Sequence, residues 1–151
     1  MSETKINLEQ KESFSREVWF IDDTTEIVNA ILRGLKYFYE GKNVTFRHFE
    51  KARDALREIQ EKIKTNKPMV SVIFMDYLLD KDEGGLNRGT AAIQKIRHIA
   101  EIAQPIILAF SSDESYSKKL IEAGANQAVS KMDLKEIKDA LDNILKNFDN
   151  K

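Results

Sequence analysis

The stretch Val70-Ser-Val-Ile-Phe-Met-Asp76 constrains this chain more than any other. A run of apolar, largely β-type residues ends abruptly on a carboxylate. Residues apolar on both faces of an extended segment belong in the centre of a sheet covered on both sides. Pro68 precedes the run, where a strand can begin. Beyond Asp76 come Tyr77, Leu78 and Leu79, then a polar, glycine-bearing loop from Asp80 to Gly89. No helix pattern starts at Asp76, so a capping role does not account for it. A carboxylate at the carboxyl end of a buried parallel strand lies where open α/β sheets place their ligands and chemistry.

The same alternation runs through the chain. Glu17 to Ile21 is a short apolar strand closed by Asp22-Asp23. Thr24 or Thr25 can cap a helix whose apolar residues Ile27, Val28, Ile31, Leu32, Leu35 and Phe38 fall at helical spacing, with Gly41 as a stop. Val44 to Phe49 alternates as a half-buried strand near an edge. Ala52, Leu56, Ile59 and Ile63 mark the next helix, which Pro68 cannot continue. After the central strand and its loop, where Gly84, Gly85 and Gly89 supply backbone freedom, a helix is expected from about Arg88 to Ala103. Pro105 to Phe110 is a strand ending on Ser111-Ser112, and a helix from Glu114 to Ala123 follows with Leu120 and Ile121 inward and Gly124 as its stop. Asn126 to Ser130 is a brief strand ending on Lys131. Asp133-Leu-Lys-Glu136 has the form of a capping box for a last helix carrying Leu134, Ile137, Leu141, Ile144, Leu145 and Phe148.

Five strands alternating with five helices give a parallel sheet covered on both faces. Right-handed crossovers leave few topologies, and the expected one is a flavodoxin-like (βα)5 three-layer sandwich with strand order 2-1-3-4-5. Residues 1–15 read as an extension, flexible or forming a short helix that docks Leu8 and Phe14; residues 16–149 form the domain. At 151 residues and 42% hydrophobic content the chain fits one domain with a real core. A net charge of -1, from 24 basic and 25 acidic residues, offers no electrostatic case for nucleic acid or an anionic membrane. There are no cysteines, which excludes thiolate chemistry and disulfides. No apolar run approaches the ~20 residues of a membrane helix, so a cytoplasmic protein is expected.

In this topology strand ends bring Asp22, Asp23 and Asp76 to the switch point, with Ser111 and Lys131 approaching from the far side. Three converging carboxylates repel one another unless a cation is present, and hard oxygen ligands suit Mg²⁺. Asp76 can then act as a nucleophile toward phosphorus, Lys131 can hold a phosphoryl oxygen as a point charge, and the Ser111 hydroxyl can donate to another.

This set resembles the receiver domain of two-component response regulators, over about Glu17 to Phe148. The strand end Phe20-Ile-Asp-Asp23, Gly84 eight residues after Asp76, and Glu122-Ala-Gly-Ala125 ahead of Gln127-Ala-Val-Ser-Lys131 agree with it. The resemblance implies that Asp76 is the phosphoacceptor and that Asp22, Asp23, Asp76 and the Leu78 carbonyl bind Mg²⁺. Ser111 stands for the family's switch Ser/Thr and Lys131 for its lysine. It further implies a histidine kinase or histidine phosphotransfer protein as donor. A downstream protein would be met through the face of the fourth helix, fifth strand and fifth helix, by a stand-alone receiver that is a monomer or weak homodimer and not an enzyme. Three departures stand out, and one further position bears on dephosphorylation. Met132 replaces a proline after the lysine, and Asp80 one four residues past the acceptor. Ala128 replaces an aromatic residue whose ring moves with the Ser/Thr hydroxyl. Apolar Leu78 cannot orient a water, which implies a longer-lived phosphoryl state. Ala128 keeps a phosphorylation-independent pseudo-receiver as the alternative. A haloacid-dehalogenase-type phosphatase would want Asp at position 78, and a flavodoxin would not place Asp22-Asp23 beside a phosphate. His48 and His98 read as strand-face and helix-face residues, and Trp19 as core.

Overall fold

The computed structural model describes residues 14–80, 85–101 and 103–149. The strands are β1 (Glu17–Ile21), β2 (Thr45–Phe49), β3 (Val72–Met75), β4 (Ile106–Phe110) and β5 (Gln127–Val129). The helices between and after them are α1 (Thr25–Phe38), α2 (Ala52–Lys64), α3 (Gly89–Ile99), α4 (Glu114–Ala123) and α5 (Leu134–Asp149). All strand pairs are parallel, in the order β2-β1-β3-β4-β5. The expected topology is therefore the observed one.

The period of two along each strand divides the core. Trp19, Ile21, Ile73, Met75, Ile107 and Ala109 face α2, α3 and α4. Val18, Phe20, Val72, Phe74, Leu108 and Phe110 face α1 and α5. On that second face Phe20 stacks on Phe74 at 4.4 Å between ring centroids, and Phe110 meets both edge-on. Every residue of β3 is buried, as a doubly covered central strand requires.

Several local expectations shift. Ile63 is 49% exposed, because α2 turns Lys62 inward instead. Lys62 continues the stripe of Ala52, Ala55, Leu56 and Ile59 three residues on from Ile59, and its Nζ lies 2.6 Å from Glu17 Oε1. Ile121 is likewise outward at 39% exposure, since α4 rests on Leu120. Leu134 is partly exposed and lies over Gly34 of α1. The third helix ends at Ile99, four residues before Ala103. Thr24 is the residue before α1, but its side chain makes no cap bond; its N–H donates to Asp22 Oδ1 at 2.7 Å. Gly41 does sit at positive φ, but three residues beyond the helix end. Asp133 caps α5 through the Glu136 N–H, while Glu136 accepts from Ser130 N–H and not from the cap residue. The helix proposed around Leu8 and the loop position Gly84 lie outside the described residues. Phe14 pairs with Met69 beside β3 and packs its ring on Phe148.

The Glu17–Lys62 pair tests how this end of the sheet is held. Burial raises the Glu17 carboxyl, but hydrogen bonds from Lys62, Ser15 and Trp19 outweigh it and hold the group below its ordinary 4.5. A lowered native pKa contributes stability above that ordinary value, lost as pH falls through the native one. Lys62→Met is expected to cost about 1–3 kcal/mol at neutral pH, because it leaves a mostly buried carboxylate short of a donor. Its loss on acidification from about pH 6 to about pH 3 should be shallower than that of the wild type. Urea midpoints across that range check this; parallel acid limbs for the two proteins would refute it.

Candidate functional site

The site forms at the carboxyl ends of β1 and β3, where the chain leaves the sheet in opposite directions and opens a crevice. Asp22 N–H continues the ladder to Phe49 O at 3.0 Å, and Asp76 N–H to Ile21 O at 3.0 Å. Each carboxylate is thus placed by backbone pairing and not by loop chance. Asp22 is fully buried, Asp76 nearly so, and Asp23 half-buried. One oxygen from each of Asp22, Asp23 and Asp76 lies within 4.8 Å of the others.

Lys131 enters from the end of β5. Its Nζ stands 2.7 Å from Asp22 Oδ2 and 3.0 Å from Asp76 Oδ1, with the side chain only 10% exposed. Apart from that ion pair, the buried Asp22 Oδ2 has no hydrogen-bond partner among the described residues. Burial works against the ammonium, but the two carboxylates outweigh it and raise Lys131 above its ordinary value. Asp76 is pushed up to about 6, by burial first and by the charge of Asp22 second; Lys131 pulls the other way. One ammonium does not neutralise three carboxylates. The uncompensated charge of three converging carboxylates fits a divalent cation held by oxygen ligands.

The remaining expected residues are placed as follows. Ser111 is buried at the end of β4, and its Oγ accepts from Asp113 N–H at 3.1 Å. It follows β4 at the end of the sheet where Asp76 follows β3, and the bond its Oγ makes is to the residue that caps α4. Leu78 is half-buried and bridges Arg88 in a short antiparallel pairing. The bonds of that bridge run from Leu79 N–H to Asn87 O and from Gly89 N–H to Tyr77 O, so neither uses the Leu78 carbonyl. Met132 is 73% exposed, and Ala128 is exposed on β5.

Three further residues shape the site in ways that their sequence context does not signal. The Asp22 carbonyl accepts from Nε2–H of His48 at 2.6 Å, which ties the edge strand β2 to the acidic turn. Gly89, the first residue of α3, presses against the Asp76 carbonyl so closely that a Cβ there would stand 2.0 Å from the oxygen. Tyr77 donates its N–H to Asp76 Oδ1 at 2.9 Å and stacks its ring on Tyr116 of α4. The alternation of residues 44–49 put His48 on a strand face, but only the strand order puts it beside Asp22.

At the level of sequence, no family model and no curated protein matches. The fold has many solved counterparts. The receiver domain of NtrX from Brucella abortus superimposes with a TM-score of 0.66 at 17% identity, covering 85% of this chain and 98% of that one. A CheY-like response regulator receiver domain protein from Methanospirillum hungatei gives 0.61 at 18% identity, covering 89% and 99%. A response regulator from Burkholderia pseudomallei, described with a phosphorylated aspartic acid and a calcium ion, gives 0.61 at 18% identity, covering 86% and 69%. With its five parallel strands in this order, the chain has the fold of the CheY-like receiver domains of response regulators.

Proposed function

We propose that this chain is a phosphoacceptor of two-component signalling, taking a phosphoryl group on Asp76 from a phosphohistidine in a kinase or phosphotransfer protein of the cytoplasm. The observation that carries the reading is Lys131 Nζ bridging Asp22 and Asp76 above a three-carboxylate cluster. Asp76 Oδ1 is already held by the Tyr77 N–H and by Lys131, which leaves Oδ2 as the attacking oxygen. A new Oδ2–P bond forms as the donor's N–P bond breaks, and the nitrogen keeps the electron pair. Mg²⁺, held by Asp22, Asp23, Asp76 and the Leu78 carbonyl, would neutralise charge on the carboxylates and the phosphoryl oxygens. Lys131 would follow the charge onto a phosphoryl oxygen, and Ser111 would donate its hydroxyl proton to another. Leu78 offers no polar side chain to align a water, so the acyl phosphate should be slow to hydrolyse. Receivers are acceptors more than catalysts, and the output would be contact with a further protein.

Ala128 is the observation that favours a phosphorylation-independent interaction module instead, since β5 carries no ring to answer the chemistry. Intact mass after incubation with acetyl phosphate separates the two. The expected result is one phosphoryl group added with Mg²⁺, none with EDTA and none in Asp76→Asn. A wild-type chain that binds no Mg²⁺ and gains no phosphoryl group would sink the acceptor reading.

A further inference from the structure

The crevice reaches α4 by two routes that bypass β5. Along the first, Ser111 Oγ accepts from Asp113 N–H, and Asp113 caps α4 by accepting from the N–H groups of Ser115 and Tyr116. Along the second, Tyr77, whose N–H is bonded to Asp76, lays its ring on that of Tyr116 at 4.2 Å between centroids and 12° between planes. Lys119 Nζ stands 5.6 Å from the centre of the Tyr77 ring and adds a cation to the stack. Both routes end in the first turn of α4.

That helix is lightly held. Leu120 is its one buried residue, whereas α3 buries Gly89, Ala92, Ile93 and Ile96. A helix with so small a buried stripe is an element whose position costs little to change.

We infer that the Tyr77–Tyr116 stack couples the state of Asp76 to α4, doing in this chain what an aromatic residue on β5 cannot do. The inference rests on the acceptor reading. Phosphorylation at Oδ2 turns the Asp76 carboxylate into an acyl phosphate, carries the negative charge out onto the phosphoryl oxygens, and leaves Oδ1 a weaker, carbonyl-like acceptor for the Tyr77 N–H. A Ser111 hydroxyl that turns to donate to the phosphoryl group changes how it receives Asp113. Tyr77 and Ser111 then move the same turn together, with Tyr116 as a positioning residue that touches no reacting atom.

Hydrogen exchange of residues 114–123, read by mass on the same samples as the phosphoryl adduct, tests this for wild type, Tyr116→Ala and Tyr116→Phe. In the wild type, phosphorylation should change α4 exchange several-fold. Tyr116→Ala should still gain the phosphoryl group but lose that difference. Tyr116→Phe, which keeps the ring, should retain it. An adduct with the same α4 response in Tyr116→Ala, or with no α4 response in the wild type, would overturn the coupling and leave the acceptor reading intact. No adduct in the wild type would overturn both.

Discussion

Exchanging Lys131 for methionine is expected to cost about 2–4 kcal/mol of stability in the absence of divalent cations, and to slow phosphoryl capture at Asp76 by about 10²-fold or more. Methionine keeps an unbranched stem of similar length, so packing against Phe110 changes little and the ammonium is what is lost. Asp22 is fully buried, and its Oδ2 has Lys131 as its counter-charge. Removing one partner of a buried pair leaves the other charge without water or a counter-ion, the costliest way to break such a pair. The loss is bounded because Asp76, already pushed to about 6, can take up a proton and shed its charge. Mg²⁺ should recover much of the deficit, since a cation bound only by the native state stabilises it by mass action. Urea unfolding with EDTA and with Mg²⁺ makes the measurement. Equal midpoints for variant and wild type in EDTA would mean that the ion pairs contribute nothing, and that the carboxylates are not forced together.

Much of this is legible in the sequence because each signal is local. The apolar runs of β1, β3 and β4 end in Asp, Asp and Ser, and period-3.6 stripes stand between them, so topology follows from alternation and handedness. The convergence of Asp22, Asp23, Asp76 and Lys131 then follows from topology. What escaped depends on pairs distant in sequence. Ile63 and Lys62 differ by 100° around one helix, and nothing within α2 says that Glu17 waits on a neighbouring strand for the ammonium. The stack of Tyr77 on Tyr116 joins residues nearly forty apart. In the sequence Gly89 signals only conformational freedom, a property of φ, whereas its role is the space it leaves empty. A close approach is a fact about the other chain segment, and no single window of sequence contains it.

Gly89→Ala should therefore be among the most damaging single-methyl changes in this molecule. A Cβ would meet the Asp76 carbonyl oxygen at 2.0 Å and Leu120 Cδ2 at 2.9 Å. The leucine methyl can swing aside; the carbonyl cannot, because Asp76 is fixed by its N–H bond to Ile21 O and sits at the end of a fully buried strand. The Gly89 N–H also donates to Tyr77 O at 2.7 Å, so backing α3 away breaks a bond one residue from Asp76. Overpacking of this kind costs about 1–3 kcal/mol, and a backbone obstacle places Gly89→Ala at or above the upper end. The displaced peptide is that of Asp76 itself, so phosphoryl capture should fall along with stability. Gly85→Ala is the control. Gly85 has φ +90 but no described residue within 4 Å of a Cβ, so alanine there is expected to meet chiefly the left-handed backbone penalty of about 1–2 kcal/mol. It should leave adduct formation unchanged in the folded fraction. Were Gly89→Ala to match Gly85→Ala in both midpoint and adduct yield, the tight seat of α3 on the Asp76 peptide would not be what holds the carboxylate in place.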